Sequence, residues 1–160
     1  MAFNSAVLQN IADLPAGEVI AASPHNVSTF EQFENGVIEG RFVKFDTGSI
    51  DQLDASATPV IAGIAKRKVT GEIGTGVYST TGQAIDSVAE VINFGFATVT
   101  VTDAATPAKY DAVNVINAAT ADAGKATDAA VAAGIISAGD VVFWEAKSAN
   151  VWLVRINKYL

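Results

Sequence analysis

The feature that most constrains this fold is a strict two-residue alternation near the middle of the chain. Between residues 94 and 102, one face of an extended strand would carry small apolar residues and the other face threonines: Ala97, Val99 and Val101 against Thr98, Thr100 and Thr102. A period of two is the side-chain spacing of a β-strand, and β-branched residues suit a pleated surface. The pattern therefore predicts a strand with one buried side.

Further extended runs, separated by turn signals, extend this prediction to most of the chain. Strands are predicted at residues 37–45, 59–69, 141–146 and 151–156, and the short polar link 147–150 makes the last two a terminal hairpin. Gly63 predicts a bulge or a close backbone approach inside its run. Turn signals occur at residues 35–36, 46–48, 71–76, 81–82, 122–125 and 138–140. Together they predict an all-β protein, a compact β-barrel or sandwich of roughly eight to ten short antiparallel strands.

Two segments depart from the strand pattern. Residues 4–14 place apolar side chains at helical spacing, so we expect residues 1–14 to form an N-terminal arm or short helix ahead of a single β-rich domain at 15–160. Residues 118–133 are rich in alanine, which favours a helix by propensity. Gly124 and the Asp-Ala-Gly-Lys turn signal favour a hairpin with a turn instead. A short helix near residues 126–134 is the alternative.

Composition excludes several classes of protein. Half of the residues are apolar and 17% are charged, so the chain can build a core and is not disordered by composition. The net charge of −7 would be repelled by phosphate backbones, and no nucleic-acid partner is expected. No run approaches the roughly 20 apolar residues that span a bilayer, so no membrane is expected. The first fourteen residues lack Lys and Arg, and no secretion signal is expected.

The sequence predicts no catalytic, cofactor-binding or metal-binding residues, and therefore no enzyme. His25 is the single histidine and there is no cysteine, which leaves a metal ion only carboxylates without a calcium-loop spacing. The glycines at 71–76 and the pair Gly124-Lys125 lack the ending of a phosphate loop, and no nucleophile elbow occurs. These motifs are turns.

Three groups of residues are candidates for contact with a partner. Trp144 and Trp152 lie in the predicted terminal hairpin, where they either pack in the core or form an interface, since Trp is enriched in interface hot spots. Lys66, Arg67 and Lys68 form the one basic cluster, which either ends a solvated strand or pairs with an acidic partner. The arm offers a set of apolar side chains to a neighbouring subunit: Phe3, Val7, Leu8 and Ile11.

Several of these strand-and-turn patterns resemble the structural cement, or decoration, proteins of tailed-bacteriophage capsids. The similar segments are residues 36–45 (GVIEGRFVKF), 56–65 (SATPVIAGIA), 107–115 (PAKYDAVNV), 122–127 (DAGKAT), 138–142 (AGDVV) and 151–156 (VWLVRI). The likeness covers residues 35–156, apart from an alanine-rich insert at 126–139 that matches the pattern poorly.

The resemblance implies a small β-rich domain without catalytic residues. Such a domain is assembled in the host cytoplasm, sits on the exterior of the virion and clamps neighbouring major capsid protein subunits. It is often a homo-oligomer, here a dimer or trimer. Another virion component, at the head–tail junction or in the tail, and a carbohydrate-binding or adhesion β-sandwich are the alternative functions.

Overall fold

The computed structural model describes residues 15–20, 25–31, 37–67 and 88–157. These ranges contain β-strands and no helix, and hence no helix long and apolar enough to span a bilayer. The strands are β1 (Asn26–Glu31), β2 (Phe42–Asp46), β3 (Ser49–Gln52), β4 (Val60–Ala65), β5 (Val88–Thr100), β6 (Ala112–Ile116), β7 (Ala126–Thr127), β8 (Ile135–Ser148) and β9 (Val151–Ile156). The all-β prediction is confirmed.

The nine strands form one antiparallel sheet that is organised around β5. Its order is β3-β2-β4-β5-β9-β8-β6-β7, and β1 pairs with β5 off this path. The first half of β5 pairs with β1 and with the end of β4, and its second half pairs with β9. A single long strand therefore connects the N-terminal and C-terminal halves of the molecule.

The C-terminal half closes on itself as a small barrel. The path β5-β9-β8-β6-β7 returns to its start through a parallel bridge between Val101 and Ala126. The amide of Thr102 donates to the Ala126 carbonyl across 3.0 Å. Closure of this kind protects strand edges that would otherwise be open to another chain.

Two clusters of buried side chains fill the interior. The first lies in the N-terminal half and contains Val37, Val43, Ile50, Ala62, Ala65, Ala89 and Val91. The second fills the barrel and extends to β2 and β4. Its members include Phe42, Ile64, Ile92, Val99 and Phe143. Neighbouring residues of β5 face different clusters, as Val91 and Ile92 do, because successive side chains of a strand point to opposite sides.

The alternating run at residues 94–102 forms the second half of β5 and the residues just after it, and its threonine face is partly covered. Ala97, Val99 and Val101 are buried in the second cluster, as predicted. Thr98 is buried as well, because residues 15–20 lie along this edge of β5. The Thr98 hydroxyl donates to the Pro15 carbonyl across 2.6 Å, and its amide donates to the Glu18 carbonyl across 2.9 Å.

Residues 15–20 are held from two sides. Besides its bonds to β5, Gly17 accepts a 2.8 Å hydrogen bond from the Arg67 amide at the end of β4, and its own amide donates to the Thr98 carbonyl across 2.8 Å. The described chain thus begins in a segment that is fixed between two strands.

The predicted strand at 37–45 begins too early. Residues 38–41 form a turn in which the Arg41 amide donates to the Ile38 carbonyl across 3.3 Å, and β2 starts at Phe42. The predicted strand at 59–69 corresponds to β4, Val60–Ala65, and residues 68–69 lie outside the described ranges. The pairing of β2 with β4 shifts beside Gly63, which confirms the predicted bulge.

Both helix alternatives, over residues 118–133 and near residues 126–134, are wrong. Ala126 and Thr127 form β7, and turns occupy the chain on either side. In a helix, the carbonyls of Ala121 and Ala123 would accept from amides four residues later. Instead both accept from Arg41 Nη1, at 2.6 Å and 3.0 Å, so tertiary hydrogen bonds override the propensity of alanine.

The terminal hairpin is confirmed, with a longer first strand than expected. β8 and β9 pair antiparallel from Val141↔Ile156 to Ser148↔Val151. The turn signal at 138–140 is not a turn between strands: it lies inside β8, where the register against β6 is irregular. A glycine and an aspartate here produce a local distortion instead of a chain reversal.

Candidate docking surface

Trp144 lies on the outside of the barrel at an irregularity in β8. The register with β9 passes from Phe143↔Val154 directly to Glu145↔Leu153, so Trp144 is an extra residue on its strand. An extra residue of this kind re-aims the side chain relative to the regular alternation. Its neighbour Phe143 points into the barrel and is fully buried, whereas Trp144 is half-buried.

Two aromatic rings contact Trp144 edge to face. The Phe96 ring lies 5.1 Å away between centroids, at an interplanar angle of 78°. The Tyr110 ring lies 5.4 Å away, at 84°. Both geometries are favourable for aromatic pairs, which contribute about 1 kcal/mol beyond their buried area. Tyr110 is 61% exposed, so the group presents aromatic surface to solvent.

Two cations lie over the same indole ring. Lys109 Nζ is 4.1 Å from the Trp144 centroid and 5.2 Å from that of Tyr110. The guanidinium carbon of Arg155 is 5.6 Å from the Trp144 centroid. Arg155 reaches this position because it pairs with Phe96 across β5 and β9. We name Phe96, Lys109, Tyr110, Trp144 and Arg155 the cation–aromatic patch.

A tight turn fixes the exposed side of this patch. Tyr110 has a φ of 75°, which is uncommon for a residue with a side chain and costs about 1 kcal/mol. The Tyr110 amide donates to the Phe143 carbonyl across 2.8 Å, and the Phe143 amide donates to the Asp111 carbonyl across 2.9 Å. These bonds to β8 compensate the strain and hold Lys109 and Tyr110 against Trp144.

The other tryptophan has a different environment. Trp152 is half-buried and packs against the second core cluster. Its ring meets that of Phe143 edge to face, with 5.5 Å between centroids. For Trp152 the contacts therefore match the core-packing alternative, while Trp144 stays a candidate for contact with a partner.

The basic cluster at the end of β4 is engaged within the chain. Lys66 Nζ lies 2.5 Å from Glu90 Oε2, and Arg67 Nη1 lies 3.5 Å from Glu18 Oε1. Lys68 lies outside the described residues, as do the arm residues Phe3, Val7, Leu8 and Ile11. Within the described ranges, no group of three or more acidic or histidine side chains is placed to hold a metal ion.

Sequence reasoning found one member of the cation–aromatic patch and missed four. Trp144 was a candidate because of its residue type. Phe96 and Arg155 belong to the patch only through the pairing of β5 with β9, and Lys109 and Tyr110 only through the bonds of their turn to β8. The adjacent pair Lys109-Tyr110, two residues after Pro107, is the one local signal of an exposed cation with an aromatic ring.

Comparison with known proteins agrees with a structural role. A chain of a solved structure, "The capsid of Myoviridae Phage XM1", is 74% identical over 100% of both chains, with a TM-score of 0.81. No curated protein matches the sequence. The chain is therefore a structural protein of a phage virion, a class that implies no catalysis.

The sequence model of the XM1 gp53 minor capsid protein matches residues 3–158, and the chain belongs to this family. The expected relation to capsid-associated phage proteins and the expected location in the virion are confirmed.

Proposed function

We propose that the protein is a capsid cement protein, which binds the outer surface of the phage head and stabilises contacts between major capsid protein subunits. The observation that carries this proposal is the cation–aromatic patch, a partly exposed and fixed group of interface-type residues on a member of a minor capsid family. Identical copies on a symmetric shell act together, so a modest contact per copy is sufficient.

The charge of the chain supports the exterior position. A net charge of −7 disfavours a location beside packed DNA, whose phosphates are also negative. Labelling of lysines in intact, filled particles tests the position. We expect a lysine outside the patch, such as the partly exposed Lys66, to react while Lys109 is covered by the shell, and complete protection of all lysines would contradict the proposal.

Binding to shells that lack this protein tests the role of the patch. We expect Trp144→Ala to weaken binding about 30-fold, equivalent to ~2 kcal/mol, as for an interface hot spot. The matched pair Tyr110→Ala and Val131→Ala separates the patch from general loss of exposed apolar surface, because both side chains are 61% exposed. Tyr110→Ala should weaken binding and Val131→Ala should not.

The N-terminal arm is a second proposed contact. Phe3, Val7, Leu8 and Ile11 would pack against a neighbouring subunit, starting from the fixed segment at 15–20. Deletion of residues 2–12 should then weaken shell binding without changing the melting temperature of the domain. Unchanged binding would eliminate the arm as a contact.

The basic residues Lys66, Arg67 and Lys68 stay candidates, with a smaller expected contribution because two of them already pair with Glu90 and Glu18. A dimer or trimer in solution, measured by sedimentation, is the expected oligomeric state. Copy number distinguishes cement from a head–tail or tail component: hundreds of copies per particle support cement, and about a dozen would contradict it.

A further inference from the structure

Lys109 and Arg155 differ from every other cation in the described ranges. The others have oxygen partners within the chain: carboxylates for Lys44, Lys66, Arg67, Lys125 and Lys147, and main-chain carbonyls for Arg41. Lys109 and Arg155 have no ion pair in these ranges, and both lie over the ring of Trp144.

This arrangement leaves a localised positive charge on a strongly negative molecule. The Nε of Arg155 is buried and has no hydrogen-bond partner among the described residues. The orphan donor shows that no described side chain neutralises the guanidinium at this atom, and a cation above an indole ring keeps its other N–H groups for an anion. The Trp144 ring also supplies an apolar surface that excludes water, which strengthens such a charge pair.

Resting on the proposed cement function, we infer that the cation–aromatic patch binds a carboxylate side chain of the shell protein. The Asp or Glu would lie between Lys109 Nζ and the Arg155 guanidinium, with the rings of Trp144, Tyr110 and Phe96 around its aliphatic stem. A second copy of this chain is the less favourable source of the carboxylate, because two copies of charge −7 repel each other.

Charge-removal variants test this inference on shells depleted of the protein. We expect Lys109→Gln and Arg155→Gln each to weaken binding about tenfold, the loss of one charge-assisted hydrogen bond. Each should also flatten the decrease of affinity with salt. Lys125→Gln is the matched control, since Lys125 already pairs with Asp122 at 2.6 Å, and it should bind like the unchanged protein.

Soluble polyglutamate provides a direct probe of the ligand chemistry. At matched ionic strength it should displace the unchanged protein from shells, whereas sodium chloride at that strength should displace less. Lys109→Arg, which restores the charge, should recover binding. Lys109 is exposed in a turn, so its variants fold even if Arg155→Gln does not.

The outcomes separate this inference from the proposed function. If the unchanged protein does not bind shells, the cement role fails. If it binds, and Lys109→Gln binds equally with the same salt dependence, the carboxylate inference fails and the cement role stands. If the variants instead change the oligomeric state in solution while shell binding is unaltered, the partner is a second copy and the inference is overturned.

Discussion

At Gly63, β4 approaches β5 closely. A Cβ at this site would contact the Ile92 carbonyl oxygen and lie 2.7 Å from Val91 Cγ1, and the φ of 144° disfavours any side chain. Gly48 also has a positive φ, of 89°, but a Cβ there would meet nothing within 4 Å. Substitutions at the two glycines therefore separate the energetic cost of crowding from the cost of backbone strain.

We expect Gly48→Ala to lower the free energy of unfolding by about 1 kcal/mol, the cost of the backbone conformation alone. Gly63→Ala should lower it by a further ~2 kcal/mol, because β4 and β5 must move apart. Urea denaturation measures both. Equal losses at the two sites would show that β5 adjusts without cost and that the close approach is not required.

Lys44 is a buried cation with polar partners on the loop after β3. Its Nζ lies 2.9 Å from Asp54 Oδ1 and 2.9 Å from Ser56 Oγ. The hydroxyl of Ser56 donates to Asp54, and with the ammonium of Lys44 it lowers the pKa of the Asp54 carboxyl. This pair links β2 to residues 54–56.

Because the pKa of Asp54 is lower in the folded state than in the unfolded state, the pair stabilises the fold at neutral pH. This contribution begins to decrease below the ordinary pKa of about 4 and is lost as pH falls through the folded value. We expect Asp54→Asn to cost about 1 kcal/mol at pH 7, because Asp54 is 43% exposed and solvent screens the pair, and to flatten the acid dependence of unfolding below pH ~4. Exposed Asp103, which accepts from Asn150 and has no cation partner among the described residues, is the control.

Among the elements, the segment around residues 118–125 shows best why local sequence was insufficient. Alanine content gave a helix as one alternative, and the glycine turn gave another. The decision rests on donors far away in sequence, since Gln52 Nε2 bonds to the Ala123 carbonyl at 3.1 Å and Arg41 bonds to the same segment. No local pattern reports such partners.

Gln52→Ala should therefore loosen this segment. The change removes the bonds to the Ala123 and Phe42 carbonyls and to the Ile38 amide, so we expect a loss of about 2 kcal/mol in stability. Hydrogen exchange of the Gly124 amide should become faster. Asn114→Ala, which removes an exposed bond to the Ala129 carbonyl, is the control and should leave that amide unchanged.

Other elements were predictable because their signals are local. The terminal hairpin needed only two alternating runs and a short polar link, and it is present as β8 and β9. The bulge at Gly63 needed only a glycine inside a strand. The start of β2 was misplaced, because hydrogen bonds of Gly40 to Ala65 and Thr100, distant in sequence, hold the turn at 38–41.

At the scale of the molecule, β5 contributes to both core clusters, with Val91 in the first and Val99 in the second. We propose on this basis that residues 15–160 unfold as one domain. Val91→Ala and Val99→Ala remove the same group from fully buried sites and should each cost about 2 kcal/mol.

Two optical signals measure this cooperativity. Both tryptophans lie in the C-terminal half, so their fluorescence follows that half, whereas far-UV circular dichroism follows all strands. The two transitions should coincide in both variants. A lower midpoint by circular dichroism alone in Val91→Ala would show that the N-terminal half unfolds by itself.

The double attachment of residues 15–20 has a mechanical consequence. These residues run antiparallel to β5, with the Thr98 hydroxyl bonded to Pro15 and the Arg67 amide bonded to Gly17. A pulling force applied at Pro15 would load these bonds in shear, so that several must rupture together. Tension that enters the domain at Pro15 would be shared between β5 and the residues that follow β4. The turn at residues 16–17 would therefore resist detachment from the sheet.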